Sequence, residues 1–204
     1  MYEIKKSGKP LGEATKVAVL IHGRGASAAS ILGLKDDLRL NDFALMAPQA
    51  FNNTWYPYSF MAPDQSNEPA FSQAIATING VVSEIIAAGY LYEQIYFIGF
   101  SQGACLTLEY TAQNPRKYGG VIAFTGGLIG EKINKKKYKG DFQGTSIFIG
   151  AGNQDMHVPL SRIEASEEIL RNMGAKVKTL LFKDTQHTIR PEELTWVNQN
   201  ILNE

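Results

Sequence analysis

The chain has 204 residues, of which 44% are apolar and 20% charged, with lysine and arginine balancing aspartate and glutamate to a formal net charge of zero. That length suits one domain, residues 1–204, with a sizeable core. The zero balance excludes a broad positive field of the kind that nucleic acid or an anionic membrane selects, and the single cysteine, Cys105, excludes an intrachain disulfide.

From the N-terminus, no apolar stretch follows Lys5 and Lys6, so a secretory signal is not expected. The longest apolar runs read as too short to span a bilayer. A cytoplasmic location without stable membrane insertion is the expectation. Residues 17–21 form a compact β-branched run closed by His22-Gly23-Arg24-Gly25, and residues 28–40 carry apolar positions at helical spacing. Residues 43–47 are a second short apolar run, stopped by Pro48. Residues 49–69 hold Phe51, Trp55, Tyr56, Tyr58, Phe60 and Met61 among asparagines and prolines. No period persists there, which predicts a structured loop, and long ordered loops are often functional.

Residues 70–88 read as an amphipathic helix capped by Gly89. A strand at 95–99, a helix at 102–113 and a strand at 121–125 follow. Residues 130–144 are lysine-rich and aperiodic, which predicts a solvated loop. A strand at 146–150, a helix at 160–173, a strand at 176–182 and a helix at 191–202 close the chain. Strands alternating with helices predict an α/β fold with a mostly parallel central sheet covered on both faces. In such sheets, sites lie beyond the carboxyl ends of the strands.

Gly99-Phe100-Ser101-Gln102-Gly103 matches the G-x-S-x-G pattern. Five residues alone are a weak signal, but an apolar strand precedes them and an apolar-periodic helix follows. That strand-turn-helix setting is what a nucleophile elbow requires, so Ser101 is the candidate nucleophile. Serine needs a base. In the α/β-hydrolase fold the chain order is Ser, acid, His, and only His157 and His187 follow Ser101. His187 leaves room for an acid after an intervening strand and is preferred. Asp155, in the turn after the 146–150 strand, is the expected acid, and Asp184 is the alternative. The oxyanion donors are expected to be the backbone N–H of Gln102 and that of Gly23 or Arg24. Arg24 itself either lines the site or faces solvent. Trp55, Tyr56 and His22 are candidates for contact with substrate. No second ligand lies at metal spacing from His22, so neither metal nor cofactor is expected. Cys105, on the helix behind the elbow, reads as a small core residue.

These residues resemble the phospholipase/carboxylesterase family of α/β-hydrolases, which includes acyl-protein thioesterases. The resemblance rests on Gly99-Phe100-Ser101-Gln102-Gly103, His22-Gly23 upstream, Asp155 followed by Val158-Pro159, and His187. It implies an α/β-hydrolase fold with a minimal cap and a metal-free serine hydrolase using Ser101, Asp155 and His187. It also implies small ester substrates, extending to thioesters or lysophospholipids, and a homodimer as one expected state. Arg24 and Asp184-Thr185-Gln186 depart from the family pattern and leave the substrate class open. Two rivals stand beside this reading: a peptidase or acyltransferase on the same triad, and a catalytically silent ligand-binding protein.

Overall fold

All six runs expected as strands lie side by side in one sheet. The computed structural model describes residues 3–203. Its seven strands are β1 Ile4–Gly8, β2 Lys16–Ile21, β3 Phe43–Pro48, β4 Ile95–Phe100, β5 Gly120–Phe124, β6 Ser146–Gly152 and β7 Lys176–Phe182. They run in the order β1-β3-β2-β4-β5-β6-β7, parallel throughout except where β1 pairs antiparallel with β3. β1 escaped the sequence reading. Its residues, Ile-Lys-Lys-Ser-Gly, carry one large apolar side chain, and an edge strand can be held by its ladder to β3 without a buried face.

Alternation along the central strands divides the core. Val17, Val19 and Ile21 pack on one face, while Ala18 and Leu20 pack on the other. All five are fully buried, because helices cover both faces. The first face carries α2 Ala70–Ala87, α3 Gln102–Gln113 and α4 Leu160–Asn172. The second carries α1 Ala28–Ile31 and α5 Pro191–Asn200. Pro191 sits at the start of α5, where its missing N–H costs no helical bond.

Three expectations are corrected. The helix expected over residues 28–40 is α1 followed by a 3-10 turn, Leu32–Asp36. Leu32, Leu38 and Leu40 are still buried, so their spacing records contact with the sheet rather than a continuous helix. Residues 130–144 are not simply solvated: Tyr138 and Phe142 are buried. The fully buried carboxylate of Glu109 on α3 anchors the segment, accepting from Tyr138 Oη at 2.8 Å and pairing with Lys137 Nζ at 2.7 Å. Finally, α2 is long and apolar enough, by length and composition alone, to cross a membrane. It is nonetheless two-sided. Ala74, Ile78, Val81, Val82 and Ile85 are buried against the sheet, whereas Ser72, Gln73, Asn79 and Glu84 are exposed.

β2 and β4 are neighbours, yet the chain leaves them toward opposite sides of the sheet, β2 to β3 and β4 to β5. This is the topological switch point, where a crevice opens beyond the strand ends. Ile21 pairs with Gly99 across it, so the turns after β2 and β4 are brought together.

Candidate active site

The elbow is built by steric exclusion. Ser101 has φ 55° and ψ −120°, a region that costs a non-glycine residue on the order of 1–3 kcal/mol. The surroundings hold it there: Ser101 N–H donates to Phe124 O, and Cys105 N–H donates to Ser101 O, both at 3.0 Å. A Cβ on Gly103 would lie 2.6 Å from the Ile21 carbonyl carbon and 2.7 Å from His22 O, and one on Gly99 would lie 2.6 Å from Thr107 Oγ1. Strand, turn and helix meet this closely only because both positions are glycine.

Ser101 Oγ lies 2.7 Å from His187 Nε2, and His187 Nδ1 lies 2.7 Å from Asp155 Oδ2. Three segments after β4, β6 and β7 thus form one hydrogen-bonded chain. Asp155 Oδ1 accepts from the N–H of His157 at 2.7 Å and of Val158 at 3.3 Å, which fixes the carboxylate. An ionised Asp155 only accepts, so Nδ1 carries the proton and Nε2 is left to accept from the serine hydroxyl. The arrangement can hold a serine ready to lose its proton to an oriented imidazole. His157 stands beside it, its ring centroid 4.8 Å from that of His187, and lines the same cleft.

The turn after β2 lies against the serine: a Cβ on Gly23 would be 3.4 Å from Ser101 Cβ. Among the described residues, no backbone acceptor takes the N–H of Gly23, Arg24 or Gln102. Gln102 opens α3, so its N–H also lies at the positive end of the helix dipole.

A cleft of about 710 Å³ opens over Ser101 and His187. Tyr56, Pro57, Phe60 and Met61 line it from the long loop, with Met156 and Val158 from the segment after β6. Tyr56 belongs to that lining, but its ring is fully buried and packs edge-on against Phe71 in the core. Trp55 and His22 do not line the cleft, which corrects the expectation for both. His22 is fully buried. Its Nε2 accepts from Ala50 N–H at 3.2 Å, and its Nδ1 donates to Gly23 O at 2.8 Å. Burial lowers its pKa, so the neutral ring is favoured. Trp55 packs on that ring and donates Nε1–H to His22 O at 2.8 Å. Aromatic content marked the loop as important, but which of its residues line the cleft depends on the path of the loop.

Arg24 lines the cleft, and its guanidinium is occupied by the loop. It donates to Tyr56 O, Pro57 O and Tyr58 O at 2.9, 2.8 and 2.7 Å, and to Thr54 Oγ1 at 3.3 Å. The sequence carried no sign of those partners, because they are mostly backbone carbonyls some thirty residues away. Cys105 is buried beneath the cleft, and burial pushes its thiol up to about 12.

The alternative acid, Asp184, is turned away from His187. Arg190 donates to it twice, Nη2 to Oδ1 at 2.5 Å and Nε to Oδ2 at 3.1 Å, and this bonding holds Asp184 below the ordinary carboxylate range. The same guanidinium donates to Gln186 O at 2.8 Å and Thr188 O at 3.3 Å, on either side of His187. Behind it, Glu193 is fully buried and accepts from Arg190 N–H at 2.6 Å. Arg190 gave no motif signal, since it stands at the start of a helix like any capping residue.

Comparison with known proteins is consistent with this geometry. A family model described as Phospholipase/Carboxylesterase matches residues 5–203. A crystal structure of a phospholipase/carboxylesterase from Dyadobacter fermentans DSM 18053 is 53% identical, with a TM-score of 0.98 over 100% of this chain and 97% of that one. Acyl-protein thioesterase 1 of Saccharomyces cerevisiae is 32% identical over 160 residues, 76% of this chain and 67% of the yeast protein. An Arabidopsis thaliana protein named "Probable carboxylesterase SOBER1-like" is 24% identical over 164 residues, 78% of this chain and 62% of that protein. The chain thus spans about two thirds of the length of these curated relatives.

Proposed function

The chain belongs to the phospholipase/carboxylesterase family of α/β-hydrolases, and from that premise we propose that it hydrolyses small carboxylic esters through an acyl intermediate on Ser101. The observation that carries this reading is the unbroken chain from Ser101 Oγ through His187 to Asp155, with both links at 2.7 Å, opening into a cleft. A silent binding protein has no use for a strained serine aimed at an oriented imidazole.

In the proposed reaction, Ser101 Oγ attacks the ester carbonyl as its proton passes to His187 Nε2. The carbonyl oxygen takes up the negative charge beside the N–H of Gln102 and that of Gly23 or Arg24. The tetrahedral species collapses, the alkoxide leaves with the proton from His187, and Ser101 remains acylated. Water then repeats the sequence, giving up its proton to His187 and releasing the acid. Asp155 keeps its negative charge throughout, holding the tautomer and stabilising the imidazolium.

Thioesters are the second reading, favoured by the likeness to a yeast protein named an acyl-protein thioesterase. A thiolate is the better leaving group, so the same residues serve both.

Turnover of a panel of p-nitrophenyl esters and acyl thioesters, with covalent labelling by an active-site phosphonate, tests the proposal. The expected result is a single adduct on Ser101 and loss of hydrolysis in Ser101→Ala. Absence of an adduct under conditions that label a control hydrolase would sink it. Amide substrates and alcohol acceptors in the same panel separate a peptidase or an acyltransferase from an esterase.

A further inference from the structure

Resting on the hydrolase reading, we infer that the side chains of Arg24 and Gln102 are positioning residues that lock the two oxyanion donors to the substrate-facing loop through one shared atom, the carbonyl oxygen of Tyr56. The donors come from segments far apart in sequence, the turn after β2 and the start of α3. The backbone N–H groups of both segments have no backbone acceptor, which leaves them open to the reacting oxygen, while the side chains of Arg24 and Gln102 reach the same loop. Gln102 Nε2 donates to Tyr56 O at 2.9 Å, and Arg24 Nη2 donates to that same oxygen, also at 2.9 Å. Gln102 Oε1 also accepts from Trp55 N–H at 2.9 Å, so the amide of Gln102 spans two consecutive peptide groups of the loop.

The guanidinium does more than a point charge could. Both of its terminal nitrogens are used twice, on Tyr56 O, Tyr58 O, Pro57 O and Thr54 Oγ1. Three consecutive carbonyls thus converge on one planar fork, a geometry that a lysine ammonium cannot reproduce. Between Thr54 and Ser59 the loop forms no helix or strand. Its path is set by these contacts, by Trp55 Nε1 on His22 O, and by Asn67, which accepts from Tyr58 N–H and donates to Ser59 O, both at 2.9 Å. Two of the side chains fixing the wall of the cleft therefore belong to the segments that carry the proposed oxyanion donors. Movement of the wall is transmitted to the donors, and the reverse.

The departure of Arg24 from the family pattern acquires a role in this way. If its side chain served the wall alone, removing it would change KM and acyl-chain preference. If it holds the donors in place, kcat falls even for an acetyl ester, whose acyl group is too small to use the wall. Transition-state donors act on kcat, and a displacement on the order of an ångström costs about a hundredfold.

The test measures kcat and KM for p-nitrophenyl acetate in wild type, Ser101→Ala, Arg24→Gln, Arg24→Lys, Gln102→Met and the double variant Arg24→Gln with Gln102→Met. Arg24→Gln and Gln102→Met are each expected to lower kcat by about tenfold to a hundredfold with KM little changed. The double variant is expected to lose less than the product of the two. In a further variant, Arg24→Ala, added methylguanidinium is expected to restore part of the activity. Arg24→Lys, which keeps the charge, reads in the same way as Arg24→Gln should that variant not fold. A kcat on acetate within about twofold of wild type in the Arg24 variants, with only KM or chain-length preference altered, overturns the inference. The hydrolase reading fails separately, if Ser101→Ala keeps wild-type turnover. In that event amide hydrogen exchange in Gln102→Met decides the coupling. Exchange rising together at residues 54–59 and 23–26 supports it, and a rise confined to the loop overturns it.

Discussion

Asp184 and Arg190 form a two-pronged ion pair, with guanidinium nitrogens at 2.5 and 3.1 Å from the two carboxylate oxygens. The pair sits three residues from His187 on each side, and the same guanidinium holds the carbonyls of Gln186 and Thr188. The carboxylate nearest His187 in sequence is therefore committed to its own loop, while the carboxylate that touches His187, Asp155, follows another strand.

Asp155→Asn is expected to lose about four powers of ten in kcat, as loss of a triad carboxylate does when the wrong tautomer results. Asp184→Asn is expected to lose less than about tenfold, because Arg190 keeps its carbonyl partners. Ester turnover at saturating substrate measures both, and the reverse ranking would move the acid to the loop.

Arg190→Met removes the clamp and leaves buried Glu193 without its cation. Breaking a buried pair in this way costs about 3 kcal/mol or more, so thermal unfolding should shift down by several degrees. In the fraction that remains folded, kcat should fall while KM holds, since the base and not the pocket is displaced. An unchanged kcat would show that the loop holds His187 without help from Arg190.

Burial raises the Glu193 carboxyl from 4.5 to about 7. A carboxyl raised by folding binds its proton more tightly in the folded chain, so its contribution is complete below the unfolded value and is lost as pH rises through about 7. Thermal stability should accordingly fall between about pH 5 and about pH 8, by at most about 3 kcal/mol from this group. Glu193→Gln should flatten that slope. Parallel Tm profiles for wild type and variant would show that folding does not raise this carboxyl.

The thiol of Cys105 is buried and pushed up to about 12, so almost none of it is thiolate near neutrality. Iodoacetamide at about pH 8 should leave the folded protein unlabelled and modify it stoichiometrically in denaturant. Rapid labelling of folded protein would show that the floor of the cleft opens.

What could be read from the chain alone were the features that leave a local signature. Gly99, Ser101 and Gly103 were legible as an elbow because an apolar strand precedes them and an apolar-periodic helix follows, whereas the close approach of Gly103 to Ile21 and His22 belongs to the fold. Apolar periodicity marked six of the seven strands and most helices, since the sheet is buried on both faces and leaves a signature in every central strand. The order of Ser101, Asp155 and His187 was legible for the same reason: each follows a recognisable strand. β1 was missed because a polar edge strand has no such signature, and residues 28–40 misled because burial against a sheet can mimic helical spacing.

The work of the loops was legible only in the folded chain. Trp55 and Tyr56 are adjacent aromatics with buried rings, yet only Tyr56 belongs to the lining of the cleft. Asp155 and Asp184 are alike as residues, yet one meets His187 and the other meets Arg190. Arg24 and Gln102 find their partners mostly among backbone groups, which every residue possesses and no residue type announces. A carbonyl becomes a specific acceptor only when the path of the chain carries it to a donor. That path is set by long-range packing, so the wall of the cleft and the shared hold of Arg24 and Gln102 on Tyr56 O became visible only in three dimensions.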